Sequence, residues 1–363
     1  MTRLLFAHQL RGIAALLILV THYFGVFYGL PGLMADLTFS PRVDLVAAPW
    51  VAWFDFPYFK GPFGVALFFL ISGFVIPFSL AQAGGWRFAL MRFFRIYPTY
   101  IAALAVSMLL LACNALYWDR AFTHSASALV ANALLVHDLL AIGSVDPVNW
   151  TLSIEVKFYL IAALAGAWVF RRDFTYTLLL ALAILGGTFL LSRTAESPHF
   201  VRSLAIEGNY IIFMLIGVGF YHHVQGGIGH LALLLRSLGL LAIFSLNWSL
   251  GPQRDSFPVI NVYYYYAVVA FAVCYLARGW FRPVRVLDFL ADISYPLYVI
   301  HSLMGFAVLK NLIVAGVPFG LAVVLTTGLA ILLAYLLHIA VEQRSNAFGK
   351  RLALGKRDAL VRA

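Results

Sequence analysis

Apolar residues run along this chain in long blocks, and the blocks repeat at a length that suits a lipid bilayer rather than a water-soluble core. A helix needs about 20 mostly apolar residues to cross roughly 30 Å of hydrocarbon. Windows of that kind fall at 8–29, 62–82, 97–117, 150–170, 175–192, 204–222, 229–249, 259–277, 288–309 and 318–340. The pattern therefore predicts ten membrane-spanning helices. The fifth window is short and the seventh carries Arg236 and Asn247, yet both keep an apolar majority.

Composition turns this pattern into a class. Of the 363 residues, 63% are hydrophobic and 11% charged, whereas a soluble domain is about half apolar and about a quarter charged. Such a chain cannot cover itself with polar surface, so the expected fold is an all-α polytopic membrane protein with the lipid bilayer as its solvent. It reads as one integral-membrane domain over 1–342, followed by a basic tail over 343–363 too short to fold by itself. Met1, Arg3 and the apolar run after them look like a signal peptide. The run contains Arg11 and His22 and has no small-residue cleavage site, so it reads as a retained first helix.

The formal charge of +10 sets orientation rather than a nucleic-acid partner. Arg87, Arg92 and Arg95, then Arg171 and Arg172, then Arg278, Arg282 and Arg285 occupy segments between spans on one side. The basic tail (Arg344, Lys350, Arg351, Lys356, Arg357) falls on that side too. The positive-inside rule then predicts cytoplasmic N- and C-termini. No basic stripe interleaved with aromatics is present, so nucleic acid is not an expected partner. Cys113 and Cys274 form no CxxC motif or metal spacing, and no metal is expected. The outer segments 30–61 and 118–149 are rich in aromatics, including Trp50, Trp53, Phe54, Phe56, Pro57 and Tyr58. They read either as an interfacial belt or as a lid over a cleft.

Ionisable groups at membrane depth are costly, so each is a candidate for function. Arg11 and His22 are eleven residues apart, which puts them on one helix face with about 16 Å of axial separation. His22 then lies near the bilayer midplane. An unperturbed histidine titrates near working pH and suits general-base work on a hydroxyl. The structural alternatives are snorkelling for Arg11 and an interhelical hydrogen bond for His22. Arg92 and Arg95 are three apart and share a face just ahead of the third span, with Pro98 in its first turn. They serve either as topology anchors or as a guanidinium clamp for phosphates. In the fourth span, Glu155 and Tyr159 share a face at i and i+4. Lys157 reads as snorkelling and Glu155 either as a partner of a nearby cation or as a site residue. Gly64, Gly73 and Ser72 in the second span permit close helix packing and cross-helix bonding. Pro296 predicts a broken ninth helix with His301 near mid-membrane, either a cavity lining or a structural kink.

Taken in order, Arg11-x10-His22, Gly-Val-x-Leu-Phe-Phe-x-x-Ser-Gly-Phe at 64–74, Arg92-x-x-Arg95 followed by Tyr-Pro, and Trp150-Thr-Leu-Ser-x-Glu155-x-x-Phe-Tyr159 resemble the acyltransferase-3 family. Ile-Ser-Tyr-Pro-Leu-Tyr-x-x-His301 resembles its late-helix motif. The resemblance covers roughly 8–342. It implies a multi-pass enzyme of the bacterial cytoplasmic (inner) membrane that O-acylates carbohydrates, lipid-linked glycans or, in some members, small molecules. Acyl-CoA, with acetyl-CoA the expected form, would be the cytoplasmic donor. Carried over, His22 would be the base or relay, with Arg11 and Glu155 completing the catalytic set. Arg92 and Arg95 would hold the donor, and Ser72, Trp150, Tyr159 and His301 would line the substrate site. Some members carry a fused periplasmic SGNH hydrolase-like domain. None is visible in this sequence, so the chain is expected to finish transfer itself or to hand the acyl group to a partner. The acceptor would be a carbohydrate or lipid-linked glycan, and the oligomeric state is left open, a homo-oligomer included. The rival reading is a secondary transporter of an anionic or sugar-linked solute, which would also use midplane ionisable groups and a broken helix.

Overall fold

The computed structural model describes residues 4–44, 51, 54, 61–193 and 198–361. Among them the regular structure is entirely helical. Among the described residues nine helices are long and apolar enough to cross a membrane, ten if one bent pair is counted as a span. In chain order the long helices are α1 (Leu5–Gly29), α3 (Gly61–Ala83), α4 (Gly85–Tyr117), α6 (Asn149–Val169), α7 (Thr175–Ser192), α8 (His199–Val224), α9 (His230–Leu250), α10 (Val262–Gly279) and α14 (Phe319–Leu354). Between them lie the shorter α2 (Pro31–Thr38), α5 (Ala126–Ala133), α11 (Arg285–Asp292), α12 (Ser294–Ile300) and α13 (Leu303–Val314). Each predicted span has a counterpart. The aromatic segment around Trp50, Trp53, Phe56, Pro57 and Tyr58 lies outside the described residues, while Phe54 stacks on Phe24 with ring centroids 4.2 Å apart.

Lipid supplies no hydrophobic force between spans, so close backbone approach at small residues has to hold them. The crossing of α3 and α8 uses that device. A Cβ on Gly73 would lie 1.9 Å from the Met214 carbonyl oxygen, and one on Gly217 would lie 2.4 Å from that of Leu70. Gly64 does the same against α1, where a Cβ would meet Ile18 at 2.7 Å. At Gly12, α1 presses on the backbone of α11. Gln9 is buried there and donates to the Arg282 carbonyl (2.9 Å) and to Asp288 (2.8 Å). These contacts make α1 the central helix of the site.

Two features depart from the expectation. Arg87, Arg92 and Arg95 do not lie in a segment before the third span but on α4 itself, which runs 33 residues with Pro98 in its interior. The arginines lower hydropathy without breaking the helix, because helical hydrogen bonds are internal and continue past the apolar zone. The ninth span is broken as expected, though not at its proline. Pro296 sits in the first turn of α12, where a missing N–H costs little. The 60° bend falls between α12 and α13, at His301 and Ser302. After the spans, residues 343–361 are helical. The last helix passes through a π-helical turn at His338–Glu342 and continues to Val361, with Phe348 packed 5.1 Å from Phe94 of α4.

The segment between α5 and α6 is fixed by buried polar groups. Asn132 accepts from Val145 N–H and Asn149 Nδ2, both at 3.0 Å. Lys157 does not snorkel. Its ammonium donates to Asp138, to Glu207 at 2.8 Å and to Ser153 at 2.7 Å, tying the segment to α6 and α8.

Candidate active site

A narrow cleft opens between α1, α3, α6 and α12, lined by Arg11, Phe68, Ser72, Thr151, Glu155 and Tyr298 among others. Helical spacing explains its polar wall, since Glu155 and Tyr159 stand one turn apart on α6. Ser72 donates to Glu155 Oε1 at 2.9 Å and Tyr159 donates to the same oxygen. Arg11 lies within Coulombic reach of Glu155, Arg95 and Glu342. Glu155 is therefore held by two hydroxyls in front of a cation, without the close ion pair that its position in the sequence also allowed.

Arg92 stands behind this group, its guanidinium over the rings of Phe88 (5.2 Å) and Tyr159 (5.4 Å). Its Nε is buried and lacks a hydrogen-bond partner, and among the described residues neither Arg92 nor Arg95 forms an ion pair. Two clustered arginines with spare donors fit an anionic ligand of phosphate type, since guanidinium presents a planar fork of N–H groups. Trp150 does not line the cleft itself; it is 36% exposed and packs on Tyr210 (5.2 Å) and on Phe69 (6.4 Å), which does line it.

His22 sits in a π-helical turn, Thr21–Val26, within α1. Such turns are rare and recur at functional sites. Its ring stacks on that of His301, centroids 4.8 Å apart at 19°, and Nδ1 of His22 lies 2.9 Å from Nε2 of His301. The other nitrogen of His301, Nδ1, lies 3.0 Å from the Leu297 carbonyl and 2.9 Å from that of Tyr298. Carbonyls only accept, so Nδ1 of His301 carries the hydrogen. In the neutral pair, Nε2 of His301 then accepts from Nδ1–H of His22, which leaves the lone pair of His22 on Nε2. His301 is fully buried and His22 only partly so. Tyr23 secures the bend by donating to the His301 carbonyl at 2.9 Å, a contact that Gly305 permits, since a Cβ there would lie 2.1 Å from the Tyr23 hydroxyl.

The predicted residues thus form two neighbouring groups. Arg11, Ser72, Glu155, Tyr159, Arg92 and Arg95 cluster around the cleft, while His22 and His301 pair beyond it. His22 does not line the cleft; Tyr298 stands between, its ring 5.9 Å from His301 and 5.5 Å from Phe68. Two acidic groups near the site had not been singled out. Glu342 is buried in the last helix, bonded to His338 at 2.7 Å and within reach of Arg11. A carboxylate four residues after a histidine, at the end of an apolar span, was the available signal. Asp146 is buried beside the start of α6, where it accepts from Val148 N–H at 3.1 Å. It lies outside the spans, and burial pushes its carboxyl up to about 6. Among the described residues no group of three His, Cys, Asp or Glu side chains is placed to hold a metal ion.

A polytopic helical bundle with a polar cleft and a paired histidine at its centre defines an integral-membrane protein with an internal site. The family model for the acyltransferase-3 acyltransferase domain matches residues 5–339, nearly the whole length. The chain belongs to that family and is a membrane acyltransferase. No curated protein and no solved structure matches it.

Proposed function

We propose that this protein transfers an acyl group, acetyl in the simplest case, from cytoplasmic acyl-CoA to a hydroxyl of an envelope or exported glycan at the bacterial inner membrane. The observation that carries this reading is the His22–His301 pair, whose bonding leaves His22 Nε2 as the free base. In the reaction the acceptor hydroxyl gives its proton to His22 Nε2 while its oxygen attacks the thioester carbonyl. The new C–O bond forms, the C–S bond breaks, and the proton passes from His22 to the departing thiolate, giving free CoA and an O-acyl ester. A base of this kind contributes about 10²–10⁴-fold. Arg92 and Arg95 bind the phosphates of the donor, and the orphaned Arg92 Nε supports that assignment. Arg11, balanced by Glu155, adds a third cation to the anion-binding side of the site.

The donor phosphates cannot enter hydrocarbon, so the arginine end of α4 faces the cytoplasm and the acyl-pantetheine arm reaches inward toward Tyr298 and His22. The membrane part, 1–342, and the helix after it act as one domain in this scheme. The test is mass spectrometry of envelope glycans from cells with and without the gene. The reading expects one acyl increment, such as acetyl, to disappear on deletion. An unchanged glycan profile together with undiminished acyl-CoA turnover would count against it.

A further inference from the structure

The narrow cleft is built in two storeys. Ser72 and Glu155 stand with Arg11 at one level. Phe68 and Thr151, each four residues earlier on α3 and α6, stand with Leu152 at the next. Four residues of helical rise separate the levels by about 6 Å. The first storey is polar and the second chiefly apolar. Helix α12 gives their order. Tyr295 donates to the carbonyl of Ile96, the neighbour of Arg95, at 2.8 Å. Tyr298 follows three residues later and His301 three after that, each step roughly 4.5 Å along the helix. Tyr298 bonds Thr151 of the apolar storey, so this storey is the one that faces the histidine pair.

Tyr298 closes the apolar storey and is held from three directions. Its hydroxyl lies 2.5 Å from Thr151 Oγ1, and Thr151 gives its one hydrogen to the Val148 carbonyl at 2.9 Å. Tyr298 is therefore the donor between the two hydroxyls. Its ring meets Phe68 edge to face at 5.5 Å, and its carbonyl accepts from His301 Nδ1 at 2.9 Å. The hydroxyl is thus already engaged, and what the residue offers the cleft is its ring. In a close-packed interior a ring tied at hydroxyl, face and backbone makes a fixed wall.

We infer that Tyr298 sets the acyl length this protein accepts: the acyl chain of the donor ends against its ring, which restricts the substrate to short chains, acetyl to butyryl. With the donor phosphates held at Arg92 and Arg95, the arm is anchored at one end and stopped at the other. Each added methylene must buckle in a storey one turn deep or push the thioester carbonyl back toward Arg11, away from His22. This rests on acyl-CoA as the donor, so the test is read as binding, without turnover. The His22→Ala protein in nanodiscs is loaded with radiolabelled acetyl-CoA, which is displaced by acetyl-CoA or hexanoyl-CoA, with empty nanodiscs as the blank. Hexanoyl-CoA should compete about ten-fold or more weakly than acetyl-CoA. Adding Tyr298→Ala should bring the two within about three-fold, and Tyr298→Leu should fall between. Tyr298→Phe, which keeps the ring, should hold most of the preference. Equal competition by both thioesters in the protein with Tyr298 intact overturns the inference. So does a preference that Tyr298→Ala and Tyr298→Leu leave unchanged, or loss of all acetyl-CoA binding in both while Tyr298→Phe still binds. No specific acetyl-CoA binding in any of the proteins removes the donor reading and this inference with it, a result distinct from binding without chain preference.

Discussion

His22 and His301, 279 residues apart in sequence, meet nitrogen to nitrogen at 2.9 Å, and the backbone carbonyls behind His301 decide which nitrogen of His22 is basic. The bend between α12 and α13 is what aims His301 back at α1. A histidine that orients another base through a hydrogen bond acts as an outer-shell partner acts at a metal site, by fixing tautomer and ring angle.

It follows that His301→Ala lowers kcat by about 10–100-fold with little change in the acceptor KM. His301→Gln, whose side-chain oxygen can accept from His22 Nδ1–H, recovers part of that loss. Steady-state kinetics on both variants checks this; equal losses would remove the orienting role.

Arg92 presents a planar fork over two aromatic rings, which a lysine cannot copy. Arg92→Lys is therefore expected to raise the KM for acyl-CoA by about ten-fold or more, a loss of roughly 1.5–3 kcal/mol for a charge-assisted hydrogen bond. The acceptor KM stays nearly constant. Titration of each substrate at saturation of the other reads the difference.

The α3–α8 crossing has no room for a side chain at Gly73. Gly73→Val forces the helices apart, and overpacking of this kind costs about 1–3 kcal/mol. The apparent melting temperature in detergent should fall, while Gly239→Ala, which meets nothing within 4 Å inside a helix, does not lower it.

Asp146 gives stability a pH dependence. Burial raises its carboxyl to about 6 against an ordinary 3.8, so the folded state favours the protonated form. The contribution is complete below 3.8 and is lost as pH rises through about 6, amounting to as much as about 3 kcal/mol. Asp146→Asn removes this slope and is the more stable protein above pH 6. Melting curves collected across that window test the sign.

The spans could be read from the sequence because a bilayer imposes a length on apolar runs, and that constraint is local. The glycines of α3 likewise announced close packing by their type and spacing. What hydropathy missed was the extension of α4 through Arg92 and Arg95, since an arginine-rich stretch lowers the mean without ending the helix. The candidate residues could be named from the sequence, but not their separation into two groups. That Lys157 pairs with Asp138 and Glu207, that Glu342 approaches Arg11, and that Trp150 packs on Tyr210 rather than lining the cleft all depend on long-range packing. No periodicity within one segment records such contacts. Pro296 pointed to the correct helix, but the bend lies five residues on, where Tyr23 supports it.

The account turns on His22 as the base. Purified protein in proteoliposomes, supplied with radiolabelled acetyl-CoA and an envelope glycan extract, provides the most direct measurement. Wild type should transfer label to glycan. His22→Ala should transfer at least about 10²-fold less while still binding acetyl-CoA with unchanged affinity through Arg92 and Arg95. Transfer by His22→Ala at the wild-type rate would contradict the central claim.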